Sequence, residues 1–299
     1  MIAAARRRAT LVGGVAVLLW ATLALLTTAA GPVPPFQLVA LTFAVAFLLA
    51  LAKWMLAARP RGAAAVLAPL RQPARAWFVG VGGLFGYHAF YFTALSHAPA
   101  VEASLIAYLW PLLIVLLSAL LPGERLRWWH VAGGLMGLAG AALLVTQGRA
   151  LAFDPAYALG YAAALACAFT WSVYSLLSRR LGAVPTDAVG GFCGATALLG
   201  LAGHLLFETT RWPEGTAWLA VLALGAGPVG AAFFAWDHGV KRGDIQALGV
   251  FAYAAPLLST LLLVAFGRAP ATPAVAAACL LFVGGALLAS RSVLRRRPA

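Results

Sequence analysis

Charge is the scarcest property of this 299-residue sequence: 10% of its residues are charged, and only 8 are Asp or Glu. Soluble domains carry roughly 25% charged residues, so a water-facing globular shell cannot be built from this chain. Cysteine is nearly absent as well. Cys167, Cys193 and Cys279 all fall in apolar segments, with no CxxC pair and no His at ligand spacing, and read as small packing residues. No polar stretch reaches the roughly 50 residues that an extramembrane domain needs. There is no GxxxxGKS/T loop, so ATP hydrolysis through a P-loop is excluded. HExxH, GxSxG and a pair of intramembrane aspartates are missing too, which removes the commoner membrane-protease and lipase chemistries. The sequence therefore points away from an enzyme and calls for no cofactor and no metal.

What the chain has in abundance is apolar length. Hydrophobic residues make up 63% of it, and the mean hydropathy is +0.93. Each membrane helix takes about 20 apolar residues, which leaves room for about ten. The apolar runs predict helices at 9–30, 34–57, 74–96, 99–121, 128–147, 156–179, 187–207, 215–240, 244–266 and 272–291. Gly and Pro punctuate the joints, as in Gly31-Pro32-Val33-Pro34-Pro35 and Leu121-Pro122-Gly123. The class is an all-α polytopic membrane protein with the lipid bilayer as its solvent. Arg6-Arg7-Arg8 ahead of an apolar run imitates a signal peptide, but the run from Ala9 to Ala30 is too long and reads as the first span.

The net charge of +13 would suggest a nucleic-acid partner in a soluble protein, but the placement of the basic residues gives another reason. With both termini cytoplasmic, 18 of the 21 Lys and Arg fall on one side, and only Arg149, Arg211 and Arg268 fall on the other. The positive-inside rule then predicts an N-in, C-in topology and an even number of spans, with no nucleic acid involved. The sequence says nothing about oligomeric state.

Ten spans divide into two fives, residues 1–148 and 149–299, and the halves show a fixed offset. Trp20 matches Trp171 and Pro34 matches Pro185 at 151; Gly80 and Gly82 match Gly225 and Gly227, and Pro111-Leu112-Leu113 matches Pro256-Leu257-Leu258, at 145. An odd number of helices per copy sets the copies in opposite orientations. Inverted repeats with a central site at their interface are a recurring transporter plan.

Two five-helix halves, Pro111 in the fourth helix and Gly123-Glu124-Arg125-Leu126 closing it resemble the drug/metabolite transporter superfamily, EamA type. The run Tyr87, His88, Tyr91 and then Tyr108, Trp110 looks most like the YddG-type aromatic amino-acid exporters within it. The resemblance covers nearly the whole chain. It implies a secondary transporter that exports amino acids or related metabolites by alternating access. Two positions depart from the family pattern. Trp110 stands where an acidic residue often precedes the proline, and Gly267-Arg268 stands where a Gly-Glu closing is usual. A membrane enzyme acting on a lipid or lipid-linked substrate, or a non-transporting accessory subunit, would also fit the bare composition.

The candidate substrate-binding residues are Trp20, Tyr87, His88, Tyr91, Tyr108, Trp110, Trp171, Trp236 and Tyr253. The repeat pairs Tyr91 with Trp236, Tyr108 with Tyr253 and Trp20 with Trp171. Tyr87 and Tyr91 are four apart and share a helix face. Such residues either line a central cavity for a small molecule, with cation–π attraction for an ammonium group, or simply wedge between helices. His88 is an ionisable group within a span, a functional candidate that also fits a bond to a neighbouring helix. Glu102 opens the fourth helix, where the dipole favours an anion; gating is the alternative. Asp237 and His238, beside Lys241 and Arg242, read as an interfacial ion cluster. Trp77, Trp128, Trp129, Trp212 and Trp218 fit an interfacial belt, and the GxxxG pairs Gly82/Gly86, Gly133/Gly137 and Gly190/Gly194 allow close helix contacts.

Overall fold

In hydrocarbon a backbone must satisfy its own hydrogen bonds, which for an open chain means helices. The computed structural model describes residues 2–58, 62, 65–150, 153–267 and 270–289, and every regular element among them is helical. The spans are α1 (Ala4–Ala29), α2 (Pro35–Ala58), α3 (Ala74–His97), α4 (Ala100–Leu120), α5 (Trp128–Thr146), α6 (Pro155–Arg180), α7 (Ala188–Phe207), α8 (Ala217–Arg242), α9 (Ile245–Ala265) and the shorter α10 (Pro273–Ala289). The first nine are long and apolar enough to cross a membrane. Prolines open α2 and α10, where the missing N–H costs nothing. Left-handed residues close others, with Gln147 (φ 53°) and Gly148 (φ 76°) ending α5.

The pairing of helices follows a two-fold rule. α1 lies on α8 and α3 on α6, while α2 packs on α7 and α5 on α10. Replacing each helix by its counterpart five places along turns α1·α8 into α6·α3 and returns the other two pairs to themselves. The architecture is an inverted repeat. Single contacts obey it too: a Cβ on Gly13 of α1 would sit 2.9 Å from the Gly239 Cα of α8. The residues related to these by the offsets 151 and 145 are Ala164 and Ala94, which are buried together in one cluster between α6 and α3.

Glycines allow these approaches, though not always the expected ones. Gly133 meets the backbone of Gly285, and Gly137 meets the ring of Tyr253. Gly190 receives Ala50 and Trp54, and Gly194 receives Phe47. In α3 the close contacts belong to Gly80 and Gly83, against Phe192 and Tyr174, whereas Gly82 has no neighbour in reach.

One end of the bundle gathers the basic residues. Arg6, Arg179, Glu124 and Asp244 form a cross-helix ion network there, with Arg6–Asp244 at 3.3 Å. Lys53 pairs with Asp187 on the same end. At the opposite end the Glu208 carboxylate accepts from the N–H groups of Phe36 (2.8 Å) and Gln37 (3.0 Å), and Arg211 N–H donates to Gln37. Arg59, Arg61, Arg268, Arg291 and Arg295 to Arg297 lie outside the described residues, as does the expected end of the last span at 291.

Candidate functional site

Four helices depart from regular winding at mid-depth. Pro111 cannot donate to the carbonyl of Ala107, and α4 is interrupted at Tyr108–Leu109. Pro256 does the same to α9, which is interrupted at Tyr253, the repeat counterpart of Tyr108. In α8, Pro228 lies within a π-helical turn, Gly225–Ala231, because the ladder shifts to i→i+5 around the missing N–H. α1 breaks at Ala21–Thr22. Irregular backbone at membrane depth persists where it is buried in protein or lines a cavity, and discontinuous helices commonly build transporter sites.

The breaks in α1, α4 and α8 lie beside a cluster of four tryptophans. Trp20 from α1, Trp110 from α4, Trp171 from α6 and Trp236 from α8 are all buried, and every pair of rings is in contact, with centroids 5.1–6.3 Å apart. The contacts are mostly edge-to-face or tilted, which suits the ring quadrupoles. Phe233 joins the group against Trp171 at 5.7 Å and stacks on Phe43 at 5.6 Å.

Buried indole N–H groups need acceptors, and here their partners differ. Trp20 Nε1 donates to the Pro228 carbonyl at 3.1 Å, an acceptor within the π turn. Trp236 Nε1 donates to Ser175 Oγ at 3.0 Å, and that hydroxyl donates onward to the Trp171 carbonyl at 2.9 Å. Ser172 reaches across to the Trp110 carbonyl at 2.9 Å, steadying α4 at its break. Among the described residues Trp171 Nε1 has no partner, although the residue is only 3% exposed.

Above this floor, on the side away from the basic end, the tyrosines form a half-buried wall. Tyr87 stacks on Tyr91 with centroids 6.1 Å apart and presents its ring to Trp171 at 5.4 Å. The Tyr91 hydroxyl meets Ser104 Oγ at 3.2 Å. His88 Nδ1 donates to the Leu84 carbonyl of its own helix at 2.7 Å, and Phe43 and Tyr87 pack against the ring. Tyr108 is half-buried and packs against a second cluster, between α4, α5, α9 and α10.

Tyr253 is not brought to this group. It is fully buried in the second cluster, wedged on Gly137 with Phe282 at 6.3 Å. Glu102 stands in the first turn of α4 with Oε2 buried and unpartnered. Asp237 pairs with Lys241 at 2.8 Å near the end of α8, and His238 meets Arg242 at 3.1 Å; the Asp237 carboxylate is covered by protein, at 1% exposure. Among the tryptophans assigned to the belt, Trp128, Trp212 and Trp218 are exposed, while Trp77 packs on Phe192 at 5.3 Å. Sequence reasoning missed Ser172, Ser175 and Ser178. Their signal is three hydroxyls at three-residue spacing in an apolar helix that also carries Trp171 and Tyr174.

Known proteins give this geometry a context. The model of the EamA-like transporter family matches residues 8–146 and 158–291, once in each half. An aromatic amino acid exporter of Ancylobacter novellus is 57% identical over 98% of this chain and 99% of its own length. The Escherichia coli aromatic amino acid exporter is 28% identical, over 65% of this chain and 68% of its own. A probable terminal-alkyne amino-acid exporter of Streptantibioticus cattleyicolor is 28% identical over 74% of each. A solved crystal structure, 57% identical, superposes with a TM-score of 0.89 over 98% of this chain and all of the other. With the family model repeated across both five-helix halves, the chain belongs to the EamA-like transporter family.

Proposed function

We propose that this transporter exports amino acids, aromatic and other neutral ones, from a bacterial cytoplasm. Residues 1–148 and 149–299 act as inverted repeats in an alternating-access cycle. The basic end is cytoplasmic, which puts both termini inside. Trp20, Tyr87, His88, Tyr91, Tyr108, Trp110, Trp171 and Trp236 form the substrate site, and Tyr253 sets the packing of the second cluster, against which its counterpart Tyr108 of α4 rests.

The observation that carries this reading is the unpartnered indole N–H of Trp171, buried beside the half-open Tyr87–Tyr91 stack. A buried donor without a partner costs about 1–3 kcal/mol, and a bound carboxylate would supply the acceptor. The surrounding rings suit an apolar or aromatic side chain and attract its ammonium group. The substrate classes named for the three relatives above point the same way.

The test is flux of labelled phenylalanine, methionine and threonine into liposomes holding the purified chain, with and without a proton gradient. Saturable flux of amino acids, but not of a sugar of similar size, is the expected result. Absence of amino-acid flux in correctly inserted protein would refute the proposal. Flux that requires a proton gradient would move attention to His88 and Glu102.

A further inference from the structure

The two ends of the bundle use repeat-related residues in unequal ways. On the basic half, the seam between α6 and α8 is closed. Trp236 bonds Ser175, Ser178 Oγ donates to Asp237 Oδ1 at 2.8 Å, and Arg179 donates to the Val240 (2.8 Å) and Gly243 (2.9 Å) carbonyls. Asp237 Oδ2 also accepts from Thr186 Oγ1 at 2.7 Å, while Lys241 Nζ donates to the Val184 carbonyl at 2.9 Å. A single carboxylate and its intrahelical lysine thus hold the end of α6 and the following loop onto α8.

The offsets 151 and 145 carry this seam onto α1 and α3 at the opposite end. Ser175 becomes Ala24, Ser178 becomes Thr27, Trp236 becomes Tyr91, Asp237 becomes Phe92 and Lys241 becomes Ser96. Where the first set is buried, Ala24, Tyr91 and Phe92 are half-buried, and Thr27 and Ser96 are exposed. Among the described residues no hydrogen bond joins α1 to α3. Thr28 and Ser96 bond only to carbonyls of their own helices. The structure is closed at the basic end and parted at the other.

The pair α2·α7 shows no such inequality. Lys53–Asp187 ties it at the basic end, and Glu208 on the first turn of α2 ties it at the other. Lys53 and His204 are repeat counterparts, and His204 Nδ1 bonds Glu208 at 3.0 Å. With α2·α7 tied at both ends, the difference between the ends lies where α6 meets α8 and α1 meets α3, and in the Arg6–Glu124–Arg179–Asp244 network that flanks the α6·α8 seam at the basic end.

We propose that Asp237, with Lys241, Ser178 and Thr186, is the latch that keeps the cytoplasmic side shut, and that releasing it opens the α6·α8 seam and closes the α1·α3 seam together. This rests on the alternating-access reading of the fold but not on the identity of the substrate. When the seam parts, the Asp237–Lys241 pair stays intact on α8, so only the hydroxyl and carbonyl bonds to α6 and its loop are lost. Phe92 and Thr27 replace Asp237 and Ser178 at the other end, so closing there makes no charged contact. That imbalance holds the empty transporter closed on the cytoplasmic side.

The counterpart positions supply the test. Ser178 and Asp237 touch when the cytoplasmic seam is closed, so Thr27 and Phe92 should touch only when the outer one is. In a chain with its three cysteines replaced by alanine, Thr27→Cys and Phe92→Cys are introduced, and oxidative cross-linking is timed in the absence of substrate. Ala76→Cys, in the small cleft beside Ser178 and Lys241, is labelled from the cytoplasmic side in parallel. Asp237→Asn should raise both rates by at least about tenfold, the size expected for losing a hydrogen bond to a charged group, and Asp237→Glu should restore much of the slow cross-linking. Faster Ala76→Cys labelling with unchanged cross-linking would mean local fraying and would overturn the latch, as would no change in either. If Asp237→Asn does not fold, Ser178→Ala with Thr186→Val removes the two hydroxyl donors and is judged by the same two rates. Because no substrate is present, failure here is separate from failure of amino-acid flux.

Discussion

Trp171 and Trp236 stack with centroids 6.3 Å apart and are both buried, so replacing each by phenylalanine removes the same atoms from neighbouring surroundings. Their indole N–H groups differ. That of Trp236 donates to Ser175 at 3.0 Å, and that of Trp171 has no acceptor among the described residues. Trp236→Phe loses one hydrogen bond, about 1 kcal/mol, whereas Trp171→Phe removes an unpaired donor that costs about 1–3 kcal/mol, so Trp236→Phe should be the less stable of the two by about 2–4 kcal/mol. Binding should be ordered the other way. If Trp171 N–H donates to a substrate carboxylate, its loss removes about 1.5–3 kcal/mol, or about 10- to 150-fold in Kd. Thermal unfolding in detergent reads the first difference, and calorimetric titration with phenylalanine reads the second. The reasoning is refuted if Trp171→Phe binds phenylalanine as tightly as the native chain, or if it is destabilised as much as Trp236→Phe.

Other expectations follow from the packing. Gly13→Val should destabilise the protein by about 1–3 kcal/mol, because its Cβ would meet the Gly239 backbone at 2.9 Å, whereas Gly82→Ala, with open space around it, should not lower the unfolding midpoint and should raise stability by up to about 1 kcal/mol. Asp187→Asn should cost less than about 1 kcal/mol because the Lys53–Asp187 pair is exposed. Glu208→Gln, which weakens the cap on α2 and the bond to His204, should lower the unfolding midpoint further. A cysteine at Gln72, in the loop before α3, should react with an impermeant maleimide only from the cytoplasmic side; reaction from outside would reverse the orientation.

Much of this architecture is legible in the residues. Hydropathy places the helices, Pro and Gly mark their ends, and arginine placement marks one end of the bundle. The repeat is carried by a few residues that cannot drift freely, Trp20 with Trp171 and Pro111 with Pro256, and the same residues sit at the centre or at the helix breaks. Legibility fails where side chains choose between equivalent neighbours. Periodicity sees that Tyr253 is apolar-facing but not that Gly137 opens a slot for it in the second cluster. Gly82 and Gly86 have the expected spacing, yet Gly82 faces open space, and Gly80, Gly83 and Gly86 are the glycines that α3 turns to its neighbours. The π turn at Pro228 shifts the register of α8. No linear pattern shows that Asp237, four residues from Lys241 near a helix end, is covered by Ser178 and Thr186 rather than by water.

The most direct measurement is phenylalanine counterflow in proteoliposomes for the native chain, Trp171→Ala and Trp212→Ala, the last being an exposed tryptophan of the interfacial belt. Native and Trp212→Ala proteins should show the same saturable flux, and Trp171→Ala should lose most of it while still inserting. Equal flux in all three would contradict a substrate path through the tryptophan cluster.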